Sequence, residues 1–484
     1  MKLGELMGKI PYRLALNGNP DYKEAVVTRV VTCADEATEG TLYVCLRTAL
    51  QDGHLGAMRA YGNGCRLFLA ERSLLLPTDT TVLVVESTKE LLGPFASALL
   101  GCPSRSLTVI GITGSVGKTS VADTVAQVLH SLGRRVACVT TDGVRVGERF
   151  RPWDDVLPNA AELQAIMHEF VRDGIEIAIL EFSSYMLMQG LAFSIPFTVV
   201  LLTNLSEAYA FDVACGSFRK YTEIKASLFD GDAAFQVLPA NFVGFEPKGR
   251  GKRLCFGEGG NAYAQNVEPY EDDTGAGTRF CLCIDGEKQV VSLPVIGDFA
   301  VDNALAAALL LRIVGVSLSQ IAAGLSEYAP RGRMERIACA DGRTVFVDSA
   351  YTARDLTRAL ILLRKHTKGR LLVLLGSVGE RDRDRREPLG HAATAYADLA
   401  YFTADDAGYE LPRRIAEEMA LGAVSPQKYV IIPDRREAIR DAVQAMLSGD
   451  TLLLAGKGAQ EYQLIGNRRV AFSEKQEVTE AFFD

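Results

Sequence analysis

Leu107-Thr108-Val109-Ile110-Gly111-Ile112-Thr113-Gly114-Ser115-Val116-Gly117-Lys118-Thr119-Ser120 decides the fold class of this chain of 484 residues. Leu107 to Ile112 is apolar and rich in β-branched residues, as a strand buried on both faces requires, and Thr119 to Leu132 carries apolar residues at helical spacing. Between them, glycines let backbone N–H groups close around an anion at a helix N-terminus, whose dipole adds to the attraction. Lys118 supplies a cation and Thr119 a hydroxyl suited to Mg²⁺, so Thr113 to Ser120 are predicted to hold ATP phosphates. The string departs from strict G-x-x-x-x-G-K-[S/T], because Ile112 stands six residues before Lys118. A bare glycine turn with a solvated lysine is the alternative, and the strand and helix around the loop speak against it.

The same alternation continues on both sides: strand Val136 to Thr140, helix Ala160 to Arg172, strand Ile175 to Phe182 and strand Phe197 to Asn204. Apolar strands alternating with helices predict an α/β protein with mostly parallel sheets. At about 150 residues per domain the length suggests three domains. Residues 1–103 read as a small α/β unit ending at Gly101-Cys102-Pro103-Ser104, and residues 104–333 as the P-loop domain. Residues 334–484 restart the rhythm as a Rossmann-like α/β domain, from Thr344 to Val347 through Thr451 to Leu454. The Gly-rich stretch from about 233 to 295 reads as an antiparallel insertion, followed by a helix from Asp302 to Val314.

Composition excludes several classes. Lys plus Arg number 52 and Asp plus Glu 60, a net charge of −8 without a long like-charged run, so no basic stripe offers nucleic acid its counterion-release energy. The ten Cys residues form no CxxC pair and no zinc spacing, as expected of a reduced, cytoplasmic protein. The N-terminal stretch has Lys2, Glu5, Lys9 and Arg13 among its leucines, unlike a signal peptide, and the longest apolar run, Ala304 to Val316, contains Arg312 and is too short to span a bilayer. No membrane partner is expected, and a monomer is the expected state.

Thr113-Gly114-Ser115-Val116-Gly117-Lys118-Thr119 resembles the TGTxGKT loop of the Mur ligases, the ATP-dependent enzymes that build the peptidoglycan stem peptide. Later segments resemble that family, above all its tripeptide-forming branch, in the same order. Leu180-Glu181-Phe182-Ser183-Ser184 is similar to MEVSS, Thr203-Asn204-Leu205-Ser206 to TNLS, and Tyr221 to Ala226 to YxxxKA. Gly297 to Asn303 resembles GxFNVxN, Gly332-Arg333-Met334-Glu335 resembles GRME, and Val347 to Thr352 resembles VDYAHT. Gly379-Glu380-Arg381-Asp382 is similar to GGDRD, Ala455-Gly456-Lys457-Gly458 to AGKG, and Asp52-Gly53-His54 to DGH.

The resemblance implies a three-domain ligase that forms an acyl phosphate on an acceptor carboxylate and then an amide with an amino acid. It implies ATP and Mg²⁺ as cofactors, and an acidic acceptor such as a UDP-sugar peptide together with an amino acid as partners. By residue-wise correspondence, Lys118, Glu181 and Lys225 would be catalytic, and Thr119, Glu181 and Lys225 would hold metal, Lys225 after carbamylation. The bland reading of Lys225 is a surface lysine on a helix. Asn303, Arg333 and Asp348 would join the loop in binding ATP, while Ser183, Ser184, Arg381, Asp405, Gly456 and Lys457 would contact substrates. Arg381 would grip the α-carboxylate of the amino acid, the rival reading being that Arg381 to Arg386 is a self-paired solvated run.

Departures fall at substrate and metal positions. The chain has five His, and of these only His54 lies in a motif; Tyr185, Tyr351 and Ala459 stand where the family has histidine, as does the run Glu207 to Asp212. Glu207, Asp212 or a water would have to replace the lost metal ligand. Asp155-Val156-Leu157-Pro158, Leu191 and Cys33-Ala34-Asp35 replace acceptor-binding strings. Thr403 to Gly408 replaces TSDNPR, which disfavours diaminopimelate and leaves Asp405 and Asp406 as candidates to attract a cationic amino acid. Two further readings stand beside the leading one: a ligase of a specialised peptide pathway, and a catalytically weakened nucleotide-binding paralogue.

Overall fold

The computed structural model describes residues 1–8, 10–48, 52–153, 157–209, 216–272 and 275–483. Three sheets carry the fold. In the first, the strand order is Arg13–Asn17, Thr81–Val84, Leu67–Ala70, Thr41–Val44 and Arg29–Val31, all parallel except the first pair. One face buries Tyr43 and Phe68, with their rings edge to face, against Ala57 and Ala60. The opposite face carries Leu42, Leu69 and Leu83, which join a core with Leu92 and Phe95 of helix Thr88–Leu99. Ser87 caps that helix, its hydroxyl accepting from the Glu90 N–H, which satisfies one of the donors a helix start leaves unpaired.

The second sheet has eleven strands, with Thr108–Thr113 between Val199–Leu202 and Ile177–Glu181. Its central strands are parallel and buried on both faces, as their unbroken apolar sequence demands. The expected antiparallel insertion begins later than its composition suggests. Phe235–Pro239 and Lys252–Phe256 extend the parallel sheet beside Val199–Leu202, because helix Phe218–Ala226 and then residues 240–251 supply connections long enough for same-direction returns. Hairpin geometry appears only beyond Ala262, where Ile284 and Glu287 are joined by Asp285-Gly286, both at positive φ.

The third sheet runs Glu335–Ala340, Arg343–Asp348, Thr451–Ala455, Leu371–Leu375, Leu399–Phe402 and Tyr429–Ile431, parallel after its first pair. Leu371–Leu375 and Thr451–Ala455 are buried throughout, with cores on both faces. A hairpin, Tyr462–Ile465 with Arg468–Ala471, and helix Glu474–Phe483 close the chain.

By compactness the chain forms two units: Met1–Glu268, Arg279–Ser292 and Phe299–Ser326 make the first, and Pro269–Thr278, Leu293–Asp298 and Glu327–Asp484 the second. Among the described residues no helix is long and apolar enough to cross a membrane.

Candidate functional site

In the first unit, strand Thr108–Thr113 runs into the glycine loop, and helix Lys118–Ser131 begins after Gly117 at φ +83°. The N–H groups of its first turn have no carbonyl within the helix to meet. Glycine is required at Gly117, since a Cβ there would lie 2.3 Å from Asn303 Oδ1. Asn303, on helix Asp298–Ile313, is thereby brought against the loop. Lys118 Nζ donates to the Ser115 carbonyl at 3.1 Å, which folds the cation back over the loop.

Behind the loop lies Glu181, 1% exposed, at the end of the neighbouring strand and in register with Ile112. Its carboxylate accepts from Thr119 Oγ1 at 2.8 Å and from the N–H and hydroxyl of Thr141 at 3.3 Å each. Lys225 is 1% exposed and donates to Thr113 Oγ1 at 3.2 Å, so the reading of a solvated helix lysine does not hold. Thr113 is itself fully buried, donating to the Phe182 carbonyl at 2.9 Å, and so braces the loop from below.

Residues of two further motifs, to which the sequence alone assigns no role, hold the loop. Asn204 Oδ1 accepts the Val116 N–H at 3.1 Å, Thr203 Oγ1 donates to the Val116 carbonyl at 2.6 Å, and the Tyr221 hydroxyl meets Ser115 Oγ at 2.9 Å. The strings around Asn204 and Tyr221 were visible in the sequence, but which loop atom each would hold is a tertiary matter. Ser183 caps helix Ser184–Met188 by accepting the Met186 N–H at 3.2 Å, and Ser184 Oγ is buried and meets no hydrogen-bond partner among the described residues. Glu207 is exposed; Asp155, Val156 and Asp212 lie outside the described residues. Leu191 is buried in the core, and Asp35 is ion-paired with Arg59 at 2.9 Å.

In the second unit, Asp348 ends strand Arg343–Asp348 and accepts the Met334 N–H at 2.7 Å, tying it to the turn that carries Arg333. Burial pushes the Asp348 carboxyl up to about 6, against the opposing pull of Arg333. Gly456 follows strand Thr451–Ala455, and its N–H donates to the Asp348 carbonyl at 3.0 Å.

Lys457 is 2% exposed and donates to Asp405 Oδ1 at 3.2 Å, Asp406 Oδ1 at 2.9 Å and Gln460 Oε1 at 3.2 Å. The charge of both aspartates is thus met from inside the protein. Burial opposes ionisation of Asp405, but Lys457, helped by Arg435, holds its carboxyl below the usual carboxylate range. Arg381 is exposed, while its neighbours bind elsewhere: Arg386, 1% exposed, ion-pairs with Glu410 and with Glu418 at 2.6 Å, and Arg383 pairs with Glu410. The charged run is therefore mostly cross-linked to helix Pro412–Ala420 and the turn before it, not to itself.

A phosphate-type loop with a buried carboxylate on one parallel sheet, in a chain that carries a further parallel α/β sheet, defines the class of a multidomain protein that binds nucleotide phosphates. Family models for the "Mur ligase middle domain" and the "Mur ligase, glutamate ligase domain" match residues 112–311 and 332–458. The UDP-N-acetylmuramoyl-L-alanyl-D-glutamate--2,6-diaminopimelate ligase of Geobacillus thermodenitrificans is 31% identical over 98% of this chain and 98% of its own length. The protein of the same name from Listeria monocytogenes serotype 4b is 28% identical over 99% and 98%. A solved structure of a ligase of that name superposes with a TM-score of 0.69 at 24% identity, covering 100% of this chain and 99% of its own. The MurF ligase of Thermotoga maritima, solved with ADP, superposes with a TM-score of 0.57 at 21% identity, covering 95% and 98%.

The chain belongs to the Mur ligase family, and is an ATP-dependent acid–amino-acid ligase. Binding of ATP or ADP is typical of that family.

Proposed function

We propose that the chain joins an amino acid to the free carboxylate of a UDP-muramoyl dipeptide in peptidoglycan precursor synthesis, in the cytoplasm, at the expense of ATP. The acceptor carboxylate attacks the γ-phosphorus, the bond to ADP breaks, and the amine then displaces phosphate from the acyl phosphate. Residues 1–103 would hold the nucleotide end of the acceptor, 104–333 the ATP, and 334–484 the amino acid.

The single observation that carries this reading is the pairing of the glycine loop with a buried carboxylate, Thr119 Oγ1 on Glu181 at 2.8 Å. Two hydroxyls converging on one carboxylate form a hard oxygen set that fits Mg²⁺, which would neutralise triphosphate charge there. Among the described residues no group of three or more His, Cys, Asp or Glu could hold a metal, so these oxygens and the phosphates would share the ion. The first step brings two anions together, and Lys118 with the loop N–H groups stabilises the charge that develops. Lys225 would serve as a further ligand once carbamylated. Asn303, Arg333 and Asp348 would orient the nucleotide, Ser183 and Ser184 the acceptor, and Arg381 the α-carboxylate of the amino acid. Gly456 would line that end of the pocket, with Lys457 and Asp405 beneath it.

Phosphate release from ATP and Mg²⁺, with UDP-muramoyl dipeptide and a panel of amino acids, tests the proposal. Lys118→Ala is expected to lower turnover by about 10²-fold or more through lost phosphate stabilisation. Unchanged turnover in that variant would refute the placement of ATP. Release only with other acids would indicate a specialised pathway, and tight ATP binding without any release a nucleotide-binding partner.

A further inference from the structure

One buried ion pair of the second unit takes no part in the steps proposed above. Arg435, the first residue of helix Arg435–Gln444, has a side chain 0% exposed, and Glu474, the first residue of helix Glu474–Phe483, one 2% exposed. Arg435 Nε donates to Glu474 Oε1 at 2.9 Å, and a second guanidinium nitrogen donates to the same oxygen. Stability does not account for the pair. A cation at a helix N-terminus opposes the helix dipole. A buried pair exchanged for apolar residues of similar volume is often neutral or stabilising. Glu474 Oε2, moreover, meets no hydrogen-bond partner among the described residues.

What the guanidinium reaches is two strand ends. Arg435 Nη1 donates to the Ala404 carbonyl at 3.0 Å and Nη2 to the Ala455 carbonyl at 3.2 Å. Ala404 follows strand Leu399–Phe402 and Ala455 ends strand Thr451–Ala455, and between these strands lies Leu371–Leu375, which pairs with both. One planar fork thus spans three strands at their carboxyl ends, where open parallel sheets bind ligands. Just beyond the two carbonyls come Asp405 and Gly456-Lys457, and these residues meet. Lys457 Nζ donates to Asp405 Oδ1 at 3.2 Å, and a Cβ on Gly456 would lie 3.2 Å from Asp405 Oδ2. A shift of either strand end would carry this contact with it.

We propose that Arg435 is a positioning residue for the amide-forming half of the reaction: held by Glu474 of the last helix, it fixes the spacing of the two strand ends that present Asp405 and Gly456-Lys457 to the incoming amino acid. The inference rests on the ligase reading above. Arg435 touches no substrate in it. Glu474 aims the guanidinium, the guanidinium sets the two carbonyls, and the residues after those carbonyls form the floor on which the amine is brought to the acyl phosphate. Helix Glu474–Phe483, which shares a core with helix Arg435–Gln444 through Ala438, Ala442, Val478 and Ala481, thereby acts on a site it does not line.

The test separates position from stability by exchanging the pair for apolar residues of similar size, Arg435→Met with Glu474→Leu, in the full chain. Thermal unfolding should be unchanged or raised. KM for the amino acid, with L-lysine and meso-diaminopimelate as probes and UDP-muramoyl dipeptide as acceptor, should rise by about tenfold or more, since misplacement by about 1 Å has effects of that order. KM for ATP should stay within about twofold. Arg435→Lys, whose single ammonium cannot span both carbonyls and the carboxylate, should show the same rise with the charge pair kept. Loss of folded protein lowers kcat without moving KM, so it does not imitate the effect; should the double variant fail to fold, Arg435→Lys decides on the same criterion. Calorimetric Kd for the two amino acids, with a non-hydrolysable ATP analogue present, reads the site without turnover. An amino-acid KM and Kd within about twofold of the wild type, or equal rises in KM for ATP and for the amino acid, would overturn the role of Arg435 while leaving the ligase reading intact. Binding of neither amino acid by the wild type, with no phosphate release, would overturn both.

Discussion

Replacing Lys457 by methionine keeps a long apolar stem in a site that is 2% exposed but removes the ammonium shared by Asp405, Asp406 and Gln460. Asp405 is 7% exposed, so its charge would be left in a region that water barely reaches. Breaking a buried pair from one side costs about 3–5 kcal/mol, because the remaining ion is uncompensated. At about 1.4 kcal/mol per decade this raises local opening by about 10²- to 4 × 10³-fold. Hydrogen exchange followed by mass spectrometry, on peptides spanning 403–408, 451–460 and 462–471, reads that opening directly; the Leu464 N–H, held by Asp406 Oδ1 at 2.9 Å, lies in the last.

The effect should depend on pH with a definite sign. In the wild type Lys457 holds Asp405 below the ordinary aspartate value of 3.8, so its contribution is present above that value and is lost as pH falls through the lower folded one. Without Lys457 the same carboxyl titrates above its unfolded value, so the variant's deficit is full at pH 8 and shrinks as the group takes up a proton on acidification. Less than about fivefold faster exchange, or a deficit equal at pH 5 and pH 8, would refute the claim that Lys457 is the internal counter-ion of this loop.

Glu410→Gln removes one carboxylate from Arg386, which retains Glu418 and the Val378 carbonyl, so a loss of about 1.5–3 kcal/mol is expected in urea unfolding followed by circular dichroism. The same change loosens the Glu380 N–H and should raise KM for the amino acid more than it lowers kcat. Because the Arg386 guanidinium holds the Glu410 carboxyl at about 2, well below the ordinary 4.5, the contribution of this pair should be flat from about pH 6 to 8 and lost progressively as pH falls through 4.5 towards 2. The Asp348 carboxyl carbon should titrate near 6 by NMR; since its folded value exceeds the unfolded 3.8, stability from this group falls as pH rises through that window, and a midpoint below 5 would refute burial as the cause. Thr119→Val should weaken the apparent Mg²⁺ affinity in turnover assays and also lower thermal stability by about 1–3 kcal/mol, because the buried Glu181 carboxylate loses its shortest hydrogen bond.

Much of the scaffold was legible because its signals are local. Helix Ala160–Arg172 has the boundaries its periodicity predicts, and the glycine loop sits between strand and helix as its string requires. The strands Phe235–Pro239 and Lys252–Phe256 were misjudged in direction, since strand direction depends on the connection between strands and not on their own composition. The closing hairpin Tyr462–Ala471 and helix Arg386–Tyr396 were not anticipated, the first because its strands are short and polar, the second because its N-terminus lies inside a charged run.

The amino-acid sequence by itself determined the parallel α/β class, the position of the phosphate loop and the order of motifs, because buried strands, helix faces and glycine turns are each written within a few adjacent residues. Which charges remain available was decided only by the tertiary structure. Lys225 became buried, Asp405 and Asp406 were neutralised by a lysine about fifty positions away, and Glu380 was left facing Gly408. A charge acts through the counter-charges around it, and those arrive from loops that are close in space but distant along the chain.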